Sequence, residues 1–225
     1  MKKRTPLKER ILPSYTKGEE IFNMVSHIVG GAIGVAALTL CVILSAVRGS
    51  VAGVLCGTAF GVSMIVLYAM SSIYHGLPSN TAKKVFQIMD HCTIYFLIAG
   101  TYTPILICGM AVYHPVAAWV TFGVVWGLAA LASALTAIDI AKYKVFSMIC
   151  YIGMGWSVLP TLPQAVRALG VDGFMLVLGG GIFYTAGAIF FKIGKKKRYF
   201  HSIFHILTLF GSICHVLAIL FFVLW

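Results

Sequence analysis

The sequence predicts an all-α integral membrane protein: a bundle of seven transmembrane helices with a cytoplasmic N-terminus and the C-terminus outside. Three observations predict it. The chain is 60% hydrophobic and only 10% charged, with a mean hydropathy of +0.96, whereas soluble domains carry about 25% charged residues. Several apolar runs exceed 18 residues, enough to cross a hydrocarbon core of about 30 Å. The Lys and Arg residues gather in alternate connections between those runs. Because backbone polar groups must bond internally in lipid, the runs are helices; barrel strands would be short and alternating.

The elements follow in order. Residues 1–20 form a polar cytoplasmic arm, and residues 21–225 form one seven-helix transmembrane domain. The arm is too polar for a signal peptide and the next run too long for an h-region, so that run stays as the first helix. The apolar runs cover 21–47, 51–74, 85–110, 115–138, 145–162, 174–191 and 200–225. The fifth and sixth are near the lower limit for spanning. Pro104 lies inside the third and should kink it, freeing a carbonyl for Thr101 or Thr103 to satisfy. Gly30-x3-Gly34, Gly123-x3-Gly127 and Gly179-Gly180-Gly181 let backbones approach closely, which reads as packing within the bundle. Six cysteines scattered through apolar segments, with no CxxC pair, read as small packing residues.

Orientation comes from charge. Lys2, Lys3, Arg4, Lys8, Arg10 and Lys17 lie in the arm. Lys83 and Lys84, Lys142 and Lys144, then Lys192, Lys195, Lys196, Lys197 and Arg198 fall in the second, fourth and sixth connections. That places fifteen basic residues on one side, against Arg48 and Arg167 on the other. A Lys/Arg excess marks the cytoplasmic face. The net charge of +11 therefore reports topology, with the Lys195–Arg198 run also touching anionic lipid, and implies no nucleic acid partner. The expected location is the plasma membrane, with several crossings. The sequence leaves the oligomeric state open.

Ionisable groups in membrane helices are costly and point to function. His75 ends the second run, Asp90 starts the third, and His201 and His205 open the seventh. The alternating topology brings all four to the cytoplasmic boundary. His201 and His205, at i and i+4, present both rings on one helix face, a spacing suited to two ligands of one metal ion. His75 adds a third nitrogen. Three neutral imidazoles leave a fourth tetrahedral position open, as in catalytic zinc sites. Asp90 suits the holding or deprotonation of a water there, and Ser71, one turn before His75, a supporting hydrogen bond. The plainer reading stays open: a histidine near a helix end is an interfacial residue, and Asp90 a charge favourable to the helix dipole. His27 could line the same cavity. His91 points about 100° away from Asp90 around the helix, His114 is interfacial, and His215 lies deeper, able to bond a neighbouring helix.

Ser71-Ser72-Ile73-Tyr74-His75, Asp90 and His201-Ser202-Ile203-Phe204-His205 together resemble the progestin and adipoQ receptor (PAQR) family, in its bacterial hemolysin III branch. Glu20 through Asn23 to His27, and Ala99-Gly100-Thr101-Tyr102-Thr103-Pro104, also match. The resemblance covers essentially the whole chain. It implies a zinc ion (Zn2+) held by His75, His201 and His205, with Asp90 and Ser71 catalytic, and a bundle enclosing a cavity open to lipid. Membrane lipid is then the expected substrate or ligand, in a zinc-dependent, ceramidase-like hydrolase of a lipid amide or ester. The adiponectin receptors of this family carry a longer N-terminal domain than this chain. Two other functions remain: a sensor or membrane-homeostasis protein with structural zinc, and a cytolysin or channel.

Overall fold

A computed structural model of the chain describes residues 4–194 and 197–225, so Lys2, Lys3, Lys195 and Lys196 of the basic clusters lie outside the described residues. The described residues contain helices and no strand. Each helix begins where local chemistry starts it. Helix α1 (Lys17–Val47) opens on a capping box, in which Thr16 and Glu19 satisfy each other's backbone N–H groups. Helix α2 (Val51–Gly76) is capped by Ser50, and α3 (Thr81–Pro104) by Asn80, whose side chain accepts from the Lys83 N–H at 3.0 Å. Helix α4 (Pro115–Ile138) has proline at its first position, where no N–H is needed.

Six segments are long and apolar enough to cross a membrane: Lys17–Val47, Val51–Gly76, Thr81–Val112, Pro115–Ile138, Lys144–Ile193 and Phe200–Leu224. The protein is a multi-pass membrane protein. The difference from the expected seven lies in the fifth, a continuous stretch of 50 residues. It comprises α5 (Lys144–Gly155), a 3-10 turn at Leu159–Thr161 and α6 (Leu162–Ile193). No polar loop separates the two expected runs. Gly170 interrupts α6 instead, at φ 69° and ψ 171°, a conformation that a residue without Cβ adopts cheaply. Helix α7 (Phe200–Ile219) completes the chain, followed by a π-helical turn to Leu224.

Pro104 ends α3, and a π-helical turn (Ile105–Gly109) follows it. The threonines behave differently from expectation. Thr101 and Thr103 donate to the carbonyls of Leu97 and Ala99, each at 2.8 Å, one turn back along their own helix. Thr103 also accepts from the Trp126 indole of α4 at 3.1 Å.

Helices α1 to α5 pack each on the next, α5 also meets α3, α6 packs on α7, and α7 returns to α1, closing the bundle. Close approach at the α1–α2 seam needs glycine: a Cβ on Gly30 would run into the Tyr68 ring, and one on Gly61 into Leu38. Gly180 similarly admits the His215 ring. The Gly123-x3-Gly127 pair meets nothing within 4 Å, because α4 buries Ala118, Thr121, Val125, Ala129, Ala132 and Thr136 instead. All six cysteines are free thiols.

Contacts gather the connections into two groups. At one end the Thr5 N–H donates to Asp139 at 2.8 Å and the Arg10 guanidinium to the Ile138 carbonyl at 3.0 Å. Lys84 donates to the Lys8 carbonyl there at 2.6 Å, and the Tyr199 N–H to Glu19 at 2.7 Å. At the other end Arg48 lies over the Trp225 ring and Arg167 over the Tyr113 ring. Asp139 accepts three backbone bonds in the first group: the N–H of Thr5, then those of Lys142 and Ala141, hold its pKa at about 2.

Candidate metal centre

Three imidazoles meet beneath the N-terminal arm. His75 comes from the last turn of α2, His201 and His205 from the first turns of α7, and all three are buried. The ring centroids of His75 stand 5.4 Å from His201 and 4.9 Å from His205, with 4.7 Å between the latter two. One nitrogen from each ring lies within 4.8 Å of the others, and this is the only such group among the described residues. The α2–α7 meeting is tertiary; the i, i+4 spacing along α7 supplies the other half of the set.

The hydrogen bonding fits a cation. Nε2 of His201 and Nε2 of His205 face each other at 3.1 Å, and Nε2 of His75 is buried without a partner. Imidazole nitrogens gathered this closely in an apolar interior, one of them without a partner, are costly unless a proton or a metal cation sits among them. Glu20 orients the third ring. Its carboxylate accepts from Nδ1 of His75 at 2.6 Å, which leaves Nε2 as the nitrogen available to a cation. The second oxygen of Glu20 pairs with the Lys83 ammonium at 2.8 Å. Lys83 is itself buried: it donates to the Leu77 carbonyl at 2.9 Å and lies over the Tyr74 ring. It thus serves the site from inside the protein, where the charge pattern placed it in a connection.

Asp90 and Ser71 lie beside this group and outside the nitrogen cluster. Ser71 is buried one turn before His75, and the Asp90 carboxylate sits next to its hydroxyl, in the field of His75. His91 lies 3.9 Å from Asp90, and its ring bonds the Gln87 carbonyl at 2.8 Å. Tyr15 of the arm stacks on His201, with ring centroids 4.8 Å apart. Burial, followed by the charges of Glu20, Asp90 and Glu19, pushes the Tyr15 phenol far above its usual range, so it stays protonated. The His27 ring of α1 lies tilted against His205, with centroids 3.8 Å apart, and Asn23 accepts from Ser202 at 2.7 Å, so α1 walls the site. His215 bonds the Val177 carbonyl of α6 at 3.1 Å, and His114 stands at the start of α4, both away from the cluster.

Sequence reasoning singled out the three histidines, Asp90 and Ser71, and the structure brings these five together. It missed the working contacts of Glu20, Lys83 and Tyr15. The available signal was an acid in the first turn of a membrane helix, a position that needs a partner.

The chain matches the family described as "Haemolysin-III related" over residues 15–216. It is 35% identical to "Hemolysin-3" of Bacillus cereus over 206 residues, 92% of each chain. It is 33% identical to the "Hemolysin-3 homolog" of Bacillus subtilis (strain 168) over 208 residues, 92% of this chain and 96% of that one. A human relative, "Monocyte to macrophage differentiation factor", is 27% identical over 165 residues, 71% of this chain and 67% of its own. With the motif-bearing helices inside the matched range, the chain belongs to the haemolysin-III related family, within the wider PAQR group.

Proposed function

We propose that this protein is a zinc-dependent hydrolase of the plasma membrane that cleaves an amide or ester bond of a lipid. The observation that carries the reading is the convergence of three imidazole nitrogens with a carboxylate beside them that is outside the nitrogen set. Nε2 of His75, Nε2 of His201 and Nε2 of His205 are the atoms that would hold zinc. When bound, zinc supplies Lewis acidity, which polarises a carbonyl and makes water acidic near neutral pH. The remaining work belongs to the chain. Asp90 takes a proton from the attacking water as the new carbon–oxygen bond forms, and returns it to the leaving amine or alcohol as the old bond breaks. Ser71 orients the Asp90 carboxylate, Glu20 fixes the His75 tautomer, and Tyr15 screens the site from bulk water.

The reading includes seven crossings with the N-terminus in the cytoplasm. Arg167 reaches Tyr113 at the end opposite Asp139, while α5 starts and α6 finishes near the Asp139 end, which supports an outward and a return passage within Lys144–Ile193. The Lys/Arg excess counted along the sequence, fifteen against two, supports the orientation.

Zinc content and release of fatty acid from lipid amides and esters, measured on purified protein, test the hydrolase. Wild type should hold one zinc. Asp90→Ala should keep the metal and lose turnover by about 10²–10⁴-fold, while His201→Ala should lose both. Metal-free wild type, or undiminished turnover by Asp90→Ala, would overturn the reading.

A further inference from the structure

At the end of the bundle opposite the histidine cluster, which the orientation above makes the outer end, α1 finishes and α2 begins beside a pocket of about 340 Å³. Ser45 and Arg48 line it from α1 and its end, Ser50 and Ala52 from the start of α2, and Val112 and Trp225 complete the wall. The chain turns there at Gly49, whose φ of 66° suits a residue without Cβ. The Ser50 N–H closes the turn on the Ser45 carbonyl at 2.9 Å.

Three kinds of donor collect at this pocket, and none has an acceptor among the described residues. The first is the Ser45 hydroxyl. The side chain is 1% exposed and its Oγ has no partner. Serines on these helices commonly bond a carbonyl one turn back, as Ser26, Ser63 and Ser72 do at 3.0, 2.7 and 2.7 Å. Ser45 does not. Its hydroxyl fits against α2 because the residue there is glycine: a Cβ on Gly53 would stand 2.6 Å from that oxygen. The second is the start of α2. The Ser50 side chain accepts from the Gly53 N–H at 3.0 Å, which leaves the N–H groups of Val51 and Ala52 at the positive end of the helix dipole. The third is Arg48. Its guanidinium lies over the Trp225 ring, 5.3 Å from the centroid, and no carboxylate among the described residues lies within 4 Å of it. An unbonded hydroxyl is costly to bury, so an acceptor at this point is favoured.

The chemistry selects the ligand. A guanidinium fork, a hydroxyl and helix-start N–H groups together suit one anion with several acceptor oxygens, which a phosphate group provides. The surroundings indicate its source. Val47 and Val51, next to lining residues in the chain, and Val112 and Trp225, within the lining, are all exposed, giving an apolar rim beside an arginine and a tryptophan. That is the composition of a membrane interface, where acyl chains cover such a rim and a free phosphate would leave it bare. No acidic side chain lines the pocket to receive an ammonium, which favours a glycerol headgroup over choline or ethanolamine.

We propose that this pocket binds the phosphate of an anionic outer-leaflet phospholipid, held by Arg48, the Ser45 hydroxyl and the start of α2. The site stands apart from the histidine cluster and requires neither zinc nor hydrolysis.

The test uses the delipidated full chain in detergent, with dioleoylphosphatidylglycerol, dioleoylphosphatidylcholine and dioleoylglycerol as probes and native mass spectrometry as the readout. Phosphatidylglycerol should stay bound at concentrations where the other two do not. Its affinity should fall about tenfold in Arg48→Ala and about threefold in Ser45→Ala. It should hold at the wild-type value in Arg167→Ala, which removes the other cation of the same end. If Arg48→Ala does not fold, Ala52→Glu keeps Arg48, puts a carboxylate at an exposed first-turn position and should give the same loss as Arg48→Ala. Binding unchanged in both Arg48→Ala and Ala52→Glu, or lowered as much by Arg167→Ala, overturns the site. Equal binding of dioleoylglycerol overturns the phosphate, equal binding of phosphatidylcholine overturns the anionic headgroup, and displacement by inorganic phosphate at the lipid's own concentration overturns the lipid as its source.

Discussion

Glu20 shows how much one side chain does for a site that it does not itself form. Its two oxygens join the His75 imidazole and the buried Lys83 ammonium at 2.6 and 2.8 Å. A histidine ligand whose far nitrogen donates to a carboxylate is held in one tautomer and one orientation, and losing such a partner costs about 10–100-fold in metal affinity. Glu20→Gln keeps an acceptor but leaves the Lys83 charge uncompensated. Zinc competition against a chromophoric chelator should show affinity lower by about 10–100-fold, with the shift in the visible spectrum of the cobalt-substituted protein reporting a changed His75 orientation. The same affinity and spectrum as wild type would reduce Glu20 to a helix-end charge. The histidine pair on α7 and the Ser71–His75 turn were legible in the sequence, since i, i+4 spacing fixes a shared face. The Glu20 contacts were not, because they join residues 55 and 63 positions apart and depend on how α1 leans against α2 and α3.

At the scale of elements, the N-terminal arm was expected to be a polar extension ending at residue 20. Instead α1 begins at Lys17, because Thr16 and Glu19 form the capping box. The arm before it is tied down through Thr5 and Arg10 to the end of α4. The Asp139 tether makes that docking pH-dependent. Its pKa of about 2 lies below the ordinary aspartate value of about 3.9. A carboxyl whose pKa is lower in the folded state stabilises that state above its unfolded value, and the contribution fades as pH falls through the folded one. Protection of the amides in residues 4–10, measured against their intrinsic exchange rates, should be high at neutral pH and fall between about pH 4 and pH 2, and Asp139→Asn should show low protection at neutral pH. An arm equally protected in Asp139→Asn would mean that Arg10 alone holds it. The small-residue motifs show the limit of pattern reading. Gly30 packs as expected, whereas Gly123 and Gly127 face open space. The motif records only that a close approach is permitted; the neighbour decides whether one occurs.

The whole molecule closes by bringing α7 back to α1, and that closure assembles the site from helices at both ends of the chain. It also divides the connections into two ends, from which a topology test follows. A cysteine introduced at Asp172, next to the Gly170 break, should react with an impermeant maleimide added outside intact cells, whereas one at Lys142 should react only after lysis. The native thiols would first be replaced by alanine. Reaction at both positions from one side would mean that Lys144–Ile193 does not go out and return. The sequence by itself determined the membrane class, the helix positions to within a few residues outside Lys144–Ile193, and the three histidines that cluster, because apolar length, charge bias and i, i+4 spacing are local or additive properties. Only the tertiary structure decided that a fifty-residue stretch breaks after Gly155 and again at Gly170, that Lys83 is buried, and that Glu20 and His27 border the histidine cluster. Those outcomes depend on which helix faces meet, and facing is settled by the packing of the entire bundle.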